Sequence, residues 1–299
     1  MIQKLILLII TCLSLPGVVN ADPPYDAKTA SENLAKHTKY KGWDHLATKL
    51  LDNGVSKEEI EKIYKDKRMP KYSKIPFALK AKESADIYKV FLKKNQVDLG
   101  RSFLKKHHKD FNFTEKKYPV TRQIITSIIL VETQAGRYTG DSVVIDRISR
   151  LAGIADINNL VLNYHQHKSI DKSVTFTEVQ QRGQTLEQMF LDEVPALIKI
   201  AKINQLDIFN IKGSRAGAFG LPQFMPTSYL NFAVDGNGDG KVSLFEPEDA
   251  ICSVANYLSK HDWKHGLSKK QKAEVIWKYN RSKPYVDTVL ELEEIFSKS

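Results

Sequence analysis

A nearly unbroken apolar run that ends in a single acid constrains this chain more than any other feature. Residues 119–140 read PVTRQIITSIILVETQAGRYTG, and their apolar side chains recur at helical spacing up to Glu132. Pro119 suits a first helical turn, and Gly136 and Gly140 close the segment. The run therefore predicts a largely buried helix with Glu132 near its C-terminus.

Glu132 is costly at such a place unless its charge is used or neutralised. Burial and the negative end of the helix dipole both disfavour a carboxylate and raise its pKa. A glutamic acid that stays protonated near neutral pH can act as a general acid. The alternative is a glutamate at the rim of the fold that pairs with Arg122 or Arg137. This stretch alone leaves both interpretations open.

Residues 1–21 have the three regions of an export signal. Lys4 supplies a positive charge, residues 5–15 form an apolar core, and residues 19–21 provide a cleavage site. The core is too short to span a bilayer, and Cys12 lacks the small residues that precede the cysteine of a lipoprotein signal. We therefore expect cleavage, export and no stable membrane anchor.

The chain is basic and has one cysteine beyond the signal. Its formal net charge of +10 favours a polyanionic partner, which outside the cytoplasm means cell-wall polymer, a membrane surface or stray nucleic acid. A moderate excess of lysine also serves solubility. Only Cys252 remains after cleavage, so no internal disulfide is possible and the fold depends on its core.

Helical patterns cover much of the remaining chain. Two helices are predicted in residues 43–64, and residues 65–80 are predicted as a surface loop. Residues 173–178 have an extended pattern. A helix is predicted over residues 185–201, with a capping box at its start and a kink at Pro195.

Residues 235–246 match a twelve-residue calcium loop. Oxygen ligands stand at positions 1, 3, 5, 7 and 12, namely Asp235, Asn237, Asp239, the backbone carbonyl of Lys241, and Glu246. Gly240, at position 6, permits the sharp turn. The alternative is an Asp-Gly turn with coincidental acids. With only three acidic ligands, the predicted ion is weakly bound and structural.

Two further stretches have features of a binding groove. Residues 212–234 are rich in Gly, Pro, Ser and aromatic side chains, a composition that lets the backbone approach a ligand closely. Helices predicted over residues 247–260, 268–278 and 284–296 leave a break at residues 279–282, where a side chain can be presented to a site.

Together and in order, these motifs resemble those of the lytic murein transglycosylases of the B type. The resemblance is carried by ILVET at 129–133, GSRAGA at 213–218, QFMPTSY at 223–229, the calcium loop, SVANY at 253–257 and Tyr279-Asn280. It covers residues 118–152 and 205–290 strongly and residues 40–117 weakly. Several independent motifs in the same order are difficult to explain by chance.

The resemblance implies a mainly α-helical fold. A lysozyme-like core with small β elements would occupy residues 118–299, with the EF-hand-like calcium loop inserted in it, and an N-terminal helical region would occupy residues 22–117. Residues 153–184 form a longer insert than expected. Leu221 and Pro222 stand where the family commonly has Tyr-Gly.

The implied activity is cleavage of peptidoglycan without water, between N-acetylmuramic acid and N-acetylglucosamine. Glu132 would protonate the leaving oxygen and then act as base on the C6 hydroxyl of the muramic acid, which closes a 1,6-anhydro ring. An internal hydroxyl has a high effective concentration, so the second carboxylate of most glycosidases is not required. The alternatives are a lysozyme-like hydrolase, with Asp141 or Asp146 as second acid, and a non-catalytic wall-binding protein.

The resemblance also implies the binding residues and partners. The sugar groove would be lined by Ser214, Gln223, Tyr257, Tyr279, Asn280 and Tyr285, although Tyr257 and Tyr285 have an alternative as core aromatics. The calcium would be structural and not needed for the chemistry. The partners would be peptidoglycan glycan strands and proteins of the cell-wall machinery, with no nucleic acid, and the location would be the periplasm as a soluble protein.

Overall fold

The computed structural model describes residues 39–80 and 84–298, and this part of the chain is mostly helical. The predicted export signal, including Cys12, lies outside it. The helices in chain order are α1 (Asp44–Asp52), α2 (Lys57–Tyr64), α3 (Lys94–Lys106), α4 (His108–Lys117), α5 (Arg122–Thr133), α6 (Val144–Ala152), α7 (Ile157–Ile170), α8 (Phe176–Leu191), α9 (Glu193–Ile203), α10 (Pro226–Phe232), α11 (Pro247–Lys260), α12 (Lys269–Tyr279) and α13 (Lys283–Ser297). The prediction of a mainly α fold is confirmed.

The short helices and strands are few in the described residues. Three 3-10 turns lie at Ala85–Ile87, Lys89–Leu92 and Ile208–Asn210. Strand β1 (Ser142–Val143) pairs antiparallel with β2 (Lys212–Gly213). This small sheet joins the stretch after α5 to the glycine-rich segment.

Two compact units can be distinguished among the described residues. Unit 1 consists of residues 84–144 and 200–298, and unit 2 of residues 39–80 and 145–199. The predicted division of the chain at residues 117/118 stays a prediction, and the compact units divide the chain at other positions.

Helix α5 forms the centre of unit 1. Its isoleucines at 124, 125, 128 and 129 are fully buried, and it packs against α3 and α13. Gly100 of α3 permits a close approach to α13, because a Cβ there would lie 2.3 Å from the ring of Phe296. The apolar run thus forms the predicted buried helix and carries Glu132 in its last turn.

The start of α5 differs from the prediction. The helix begins at Arg122 after the N-cap residue Thr121, so Pro119 lies before the helix and not in its first turn. The Glu115 carboxylate accepts from the backbone N–H of Arg122 at 2.7 Å and also binds its guanidinium. This acid satisfies an N–H that the first turn of a helix leaves unpaired, and it fixes the start of the helix.

The prediction of an extended segment at residues 173–178 is wrong in part, because helix α8 begins at Phe176. Thr175 is the N-cap residue, and its hydroxyl accepts from the Glu178 N–H while the Glu178 carboxylate accepts from the Thr175 N–H. This capping box outweighs the alternation of polar and apolar residues. Residues 153–184 therefore contain α7 and the first half of α8.

The prediction of a single helix over residues 185–201 is also wrong, because these residues belong to two helices, α8 and α9. Thr185 lies inside α8, where its hydroxyl donates to the Gln181 carbonyl at 2.8 Å. Helix α8 ends at Leu191, with Asp192 as its C-cap residue. Pro195 follows in the first turn of α9. A proline is tolerated in a first turn because the N–H it lacks would have no partner within the helix.

In unit 2, helix α7 binds an extended segment through its side chains. Asn163 accepts from the Phe77 N–H at 2.8 Å and donates to the Ile75 carbonyl at 3.0 Å, and His167 bonds to the Phe77 carbonyl at 2.8 Å. Phe77 also packs against a buried cluster made by α7 and α8, which contains Leu160 and Val179. The predicted surface loop is thus fixed by polar and apolar contacts.

None of the helices in the described residues combines the length and the apolar character that crossing a bilayer requires.

The N-cap of α8 provides a test of this description. Thr175→Ala should lower the free energy of unfolding by about 1 kcal/mol, because the N–H of Glu178 loses its acceptor. Thr185→Ala is the matched control, and it should change the unfolding free energy by less than about 0.5 kcal/mol as an exposed mid-helix site. Urea denaturation measures both, and equal effects would contradict the assignment of Thr175 as the cap.

Candidate active site

Glu132 is half-buried and bonded to a tyrosine. The hydroxyl of Tyr285 donates to Glu132 Oε1 at 2.8 Å. Burial raises the pKa of Glu132 to about 7, and the hydrogen bond from Tyr285 limits the rise because it favours the charged form. The carboxyl therefore populates both protonation states near neutral pH.

The alternative of a rim ion pair does not describe Glu132. Arg122 binds Glu115, and no ion pair involves Glu132 in the part of the chain that the structure describes. Nor does another carboxylate contribute to the pKa of Glu132. The side chain is therefore placed as an isolated acid.

Three tyrosines form a connected wall beside this acid. The rings of Tyr285 and Tyr279 are nearly parallel, with centroids 6.5 Å apart, and Tyr257 meets Tyr279 edge-on at 4.8 Å. Burial and then the nearby Glu132 carboxylate raise the pKa of both Tyr279 and Tyr285 well above the usual range. Both hydroxyls stay protonated and can act as hydrogen-bond donors.

The hydroxyls of the wall have different partners. Tyr257 donates to the Lys278 carbonyl at 2.7 Å, and Tyr279 donates to the Pro222 carbonyl. Tyr257 is almost fully buried, so its ring supports Tyr279 and contributes little surface of its own. Of the three, only Tyr285 bonds to Glu132.

The break between α12 and α13 places Asn280 in the same region. Asn280 follows Tyr279 at the end of α12, and Ser282 caps α13 by accepting from the Tyr285 N–H at 3.2 Å. The Asn280 Oδ1 atom is buried and has no hydrogen-bond partner among the described residues. An unpaired buried acceptor is costly, which favours a ligand that donates to it.

Ser214 and Gln223 lie in the glycine-rich segment. Ser214 Oγ accepts from the Ala218 N–H at 3.2 Å, which leaves its own proton to donate. Gln223 Nε2 donates to the Gly220 and Thr139 carbonyls at 2.9 and 3.0 Å. With its amide protons engaged, Gln223 can offer a ligand only its Oε1 acceptor.

The sequence analysis assigned no role to two residues near the acid, Thr133 and Tyr88. Thr133, next to Glu132, donates its buried hydroxyl to the Leu221 carbonyl at 2.9 Å. Tyr88 meets the ring of Tyr285 edge-on, with centroids 6.0 Å apart. These contacts join distant parts of the chain, and no local pattern in the sequence indicates them.

The predicted calcium loop is folded back on itself. Asp235 accepts from the Gly238 and Gly240 N–H groups at 2.6 and 2.8 Å, and Asn237 Nδ2 donates to Glu246 Oε2 at 3.1 Å. The backbone hydrogen bonds lower the pKa of Asp235. No group of three or more His, Cys, Asp or Glu side chains suited to a metal occurs within residues 39–80 and 84–298.

The loop nevertheless suits a calcium ion chemically. Its donors are oxygens, Gly238 and Gly240 have positive φ angles, and the contact of Asn237 with Glu246 joins positions 3 and 12 of the pattern. The loop thus offers oxygen donors at the positions that the calcium pattern requires.

The bond from Tyr285 to Glu132 predicts a titration shift. In Tyr285→Phe, the pKa of Glu132 should rise above about 7, because the charged form loses a donor. NMR titration of the ¹³C-labelled carboxyl measures this value. Tyr279→Phe is the matched control, with a smaller change expected because that hydroxyl donates to Pro222. A lower or unchanged pKa in Tyr285→Phe would contradict the assignment.

Comparison with known proteins shows a matching protein family and a related enzyme of Escherichia coli. A family model described as transglycosylase SLT domain matches residues 38–274. The membrane-bound lytic murein transglycosylase B of Escherichia coli (strain K12) is 34% identical over 178 residues, which is 60% of this chain and 42% of that protein. The matched part thus spans less than half the length of that relative.

Solved structures show a similar fold. Soluble lytic transglycosylase SltB1 from Pseudomonas aeruginosa has a TM-score of 0.61 at 24% identity, covering 85% of this chain and 97% of that one. Escherichia coli lytic transglycosylase SLT35 in complex with calcium has a TM-score of 0.55 at 24% identity, covering 90% and 87%. The mainly helical, lysozyme-like fold is confirmed. Because the family model matches more than half of its length, this chain belongs to the transglycosylase SLT domain family.

Proposed function

We propose that this protein is a lytic transglycosylase that cleaves the bond between N-acetylmuramic acid and N-acetylglucosamine in peptidoglycan. The observation that carries the proposal is the half-buried Glu132, with a pKa of about 7 and Tyr285 as donor. The murein transglycosylase relative supports the substrate class.

In the first step, protonated Glu132 acts as general acid. It donates its proton to the glycosidic oxygen as the bond from the muramic C1 atom to that oxygen breaks. The Tyr285 hydroxyl stabilises the carboxylate that this transfer creates, since it donates to the charged form. A pKa near the working pH suits a group that must both give and take a proton.

In the second step, the Glu132 carboxylate acts as base. It takes the proton of the muramic C6 hydroxyl as that oxygen bonds to C1, which closes the 1,6-anhydro ring and restores the acid. The attacking hydroxyl belongs to the same sugar, so its effective concentration is high and no water has to be positioned.

The hydrolase alternative requires a second carboxylate, and its two candidates lack support. Asp146 is engaged by Arg150, with the guanidinium Nε 2.9 Å from its carboxylate. Asp141 is exposed, and neither acid contributes to the pKa of Glu132. These observations favour a single-carboxyl mechanism over the paired carboxylates of most glycosidases.

The sugar groove in this proposal uses the polar atoms described above. Asn280 Oδ1 and Gln223 Oε1 would accept from acetamido N–H groups or hydroxyls, and Ser214 would donate to a sugar oxygen. Tyr279 would pack against a sugar ring, with Tyr257 supporting it from behind. Tyr285 would contact substrate and acid together.

Calcium and location complete the proposal. A structural calcium ion would be held by Asp235, Asn237, Asp239, Glu246 and the carbonyl of Lys241. A solved structure of similar fold in complex with calcium supports this. The ion would stabilise the loop and supply no reacting group.

The sequence also supports a location and partners for this protein. It would be exported to the periplasm without a stable membrane anchor, and it would bind glycan strands and no nucleic acid. Proteins of the cell-wall machinery would be further partners.

Turnover of purified peptidoglycan tests the catalytic proposal. Glu132→Gln should lower the rate by about 10²- to 10⁴-fold, because the amide cannot donate or accept the proton, while binding to peptidoglycan is retained. Glu291→Gln, at an exposed acid of α13, is the matched control and should turn over normally. Mass spectrometry of the products should show 1,6-anhydromuramic ends. Full activity in Glu132→Gln would support the non-catalytic alternative.

Thermal unfolding tests the calcium proposal. Calcium at about 100 times its Kd should stabilise the wild type by about 2.7 kcal/mol and raise its Tm, because the ion binds only the folded loop. Glu246→Gln should respond to calcium much less, whereas Glu291→Gln should respond as the wild type does. Equal melting of the wild type in calcium and in chelator would argue against a structural ion.

A further inference from the structure

Leu221 and Pro222, which depart from the family pattern, connect three elements of unit 1 through their backbone. The Leu221 N–H donates to the Leu244 carbonyl, in the calcium loop, at 2.8 Å. The Leu221 carbonyl accepts from the Thr133 hydroxyl at 2.9 Å, and the Pro222 carbonyl accepts from the Tyr279 hydroxyl. The loop, the end of α5 and the end of α12 therefore meet at two residues.

The residues around this junction are closely packed. Gly220 has a positive φ angle, and a Cβ there would lie 2.4 Å from Leu244 Cβ. On the other side, a Cβ at Gly136 would lie 3.2 Å from Leu221 Cγ. Leu221 and Leu244 are both almost fully buried, so water cannot replace the hydrogen bond between them.

Asp249 binds the loop from helix α11. This residue is fully buried in the first turn of α11, where Oδ1 accepts from the Gly236 N–H at 2.8 Å and Oδ2 from the Ser243 N–H at 2.6 Å. It is not a position of the calcium pattern. Since Ser243 precedes Leu244, Asp249 fixes the arm of the loop that supplies the Leu244 carbonyl.

Thr133 connects Leu221 to the last turn of α5, next to Glu132. Its hydroxyl lies 3.1 Å from the Ile129 carbonyl and accepts from the Gly136 N–H at 3.1 Å, in addition to its bond with Leu221. These contacts fix the last turn of α5 against the junction. Glu132 is the preceding residue, so they also set where its carboxyl meets Tyr285.

We propose that the loop 235–246 positions the Glu132 carboxyl through Asp249, Leu244 and Leu221, with Thr133 as the positioning residue that contacts α5. The contacts are formed by the folded chain, so the coupling does not require the metal ion. The catalytic consequence rests on the proposed function, whereas the structural coupling does not.

The coupling can be measured without turnover by titrating Glu132. The pKa of Glu132 is set by its burial and by the hydrogen bond from Tyr285, and the carboxylate lies near enough to Tyr279 to raise the pKa of that tyrosine. A shift of the carboxyl relative to these groups therefore changes its pKa. NMR titration of the ¹³C-labelled carboxyl in the full chain reports this directly.

Two single variants and a conservative control carry the test. Thr133→Val, which removes the hydroxyl but keeps the shape, should move the pKa of Glu132 by about half a unit or more. Thr133→Ser, which keeps the hydroxyl, should titrate as the wild type. Asp249→Asn, at the far end of the route, should move the pKa in the same direction as Thr133→Val.

The double variant distinguishes a shared route from two local effects. If the loop acts through Thr133, Asp249→Asn should add little to the shift of Thr133→Val, because the route is already broken. Should Asp249→Asn fail to fold, Leu244→Ala replaces it, since it loosens the packing on Gly220 and leaves Asp249 paired. A pKa of Glu132 equal to that of the wild type in either single variant, or fully additive shifts in the double variant, would overturn the proposal.

Turnover then separates this inference from the proposed function. With peptidoglycan as substrate, Thr133→Val should lower kcat by about tenfold and leave KM nearly unchanged, because the hydroxyl is not expected to touch substrate. Thr133→Ser should restore kcat. An inactive wild type would contradict the proposed function but leave the titration result intact, whereas a normal pKa and kcat in Thr133→Val would refute the positioning role alone.

Discussion

The hydrogen bond from Tyr285 to Glu132 is the interaction on which the candidate active site depends. It joins the last turn of α5 to the first turn of α13 at a half-buried position. Burial raises the pKa to about 7, while the tyrosine stabilises the charged form. One carboxyl is thereby available as donor and acceptor, as a mechanism without a second acid requires.

The elements around this pair are held mostly through main-chain atoms. The carbonyls of Leu221 and Pro222 accept from Thr133 and Tyr279, and the Lys278 carbonyl accepts from Tyr257. Such contacts depend on the path of the backbone and not on the side chain that supplies the carbonyl. The bonds at Leu221 and Pro222 therefore do not depend on the identity of these two side chains.

Local patterns in the sequence predicted part of this structure. The buried helix and Glu132 at its end follow from apolar spacing, which is a property of neighbouring residues. Residues 173–178 were misassigned because an alternating pattern competed with the capping box at Thr175. The bond between Thr133 and Leu221 joins residues 88 positions apart, and local propensity carries no information about it. The resemblance placed Tyr285 in the groove, but only the folded chain brings its hydroxyl to Glu132.

Digestion of peptidoglycan in ¹⁸O-labelled water tests the central claim, that Glu132 works as a lone acid and base, most directly. A single acid and base should give unlabelled products with 1,6-anhydro ends, because the attacking oxygen comes from the sugar itself. Incorporation of ¹⁸O at the reducing ends of the wild-type products would contradict it, since water would then be the nucleophile and a second group would have to activate that water.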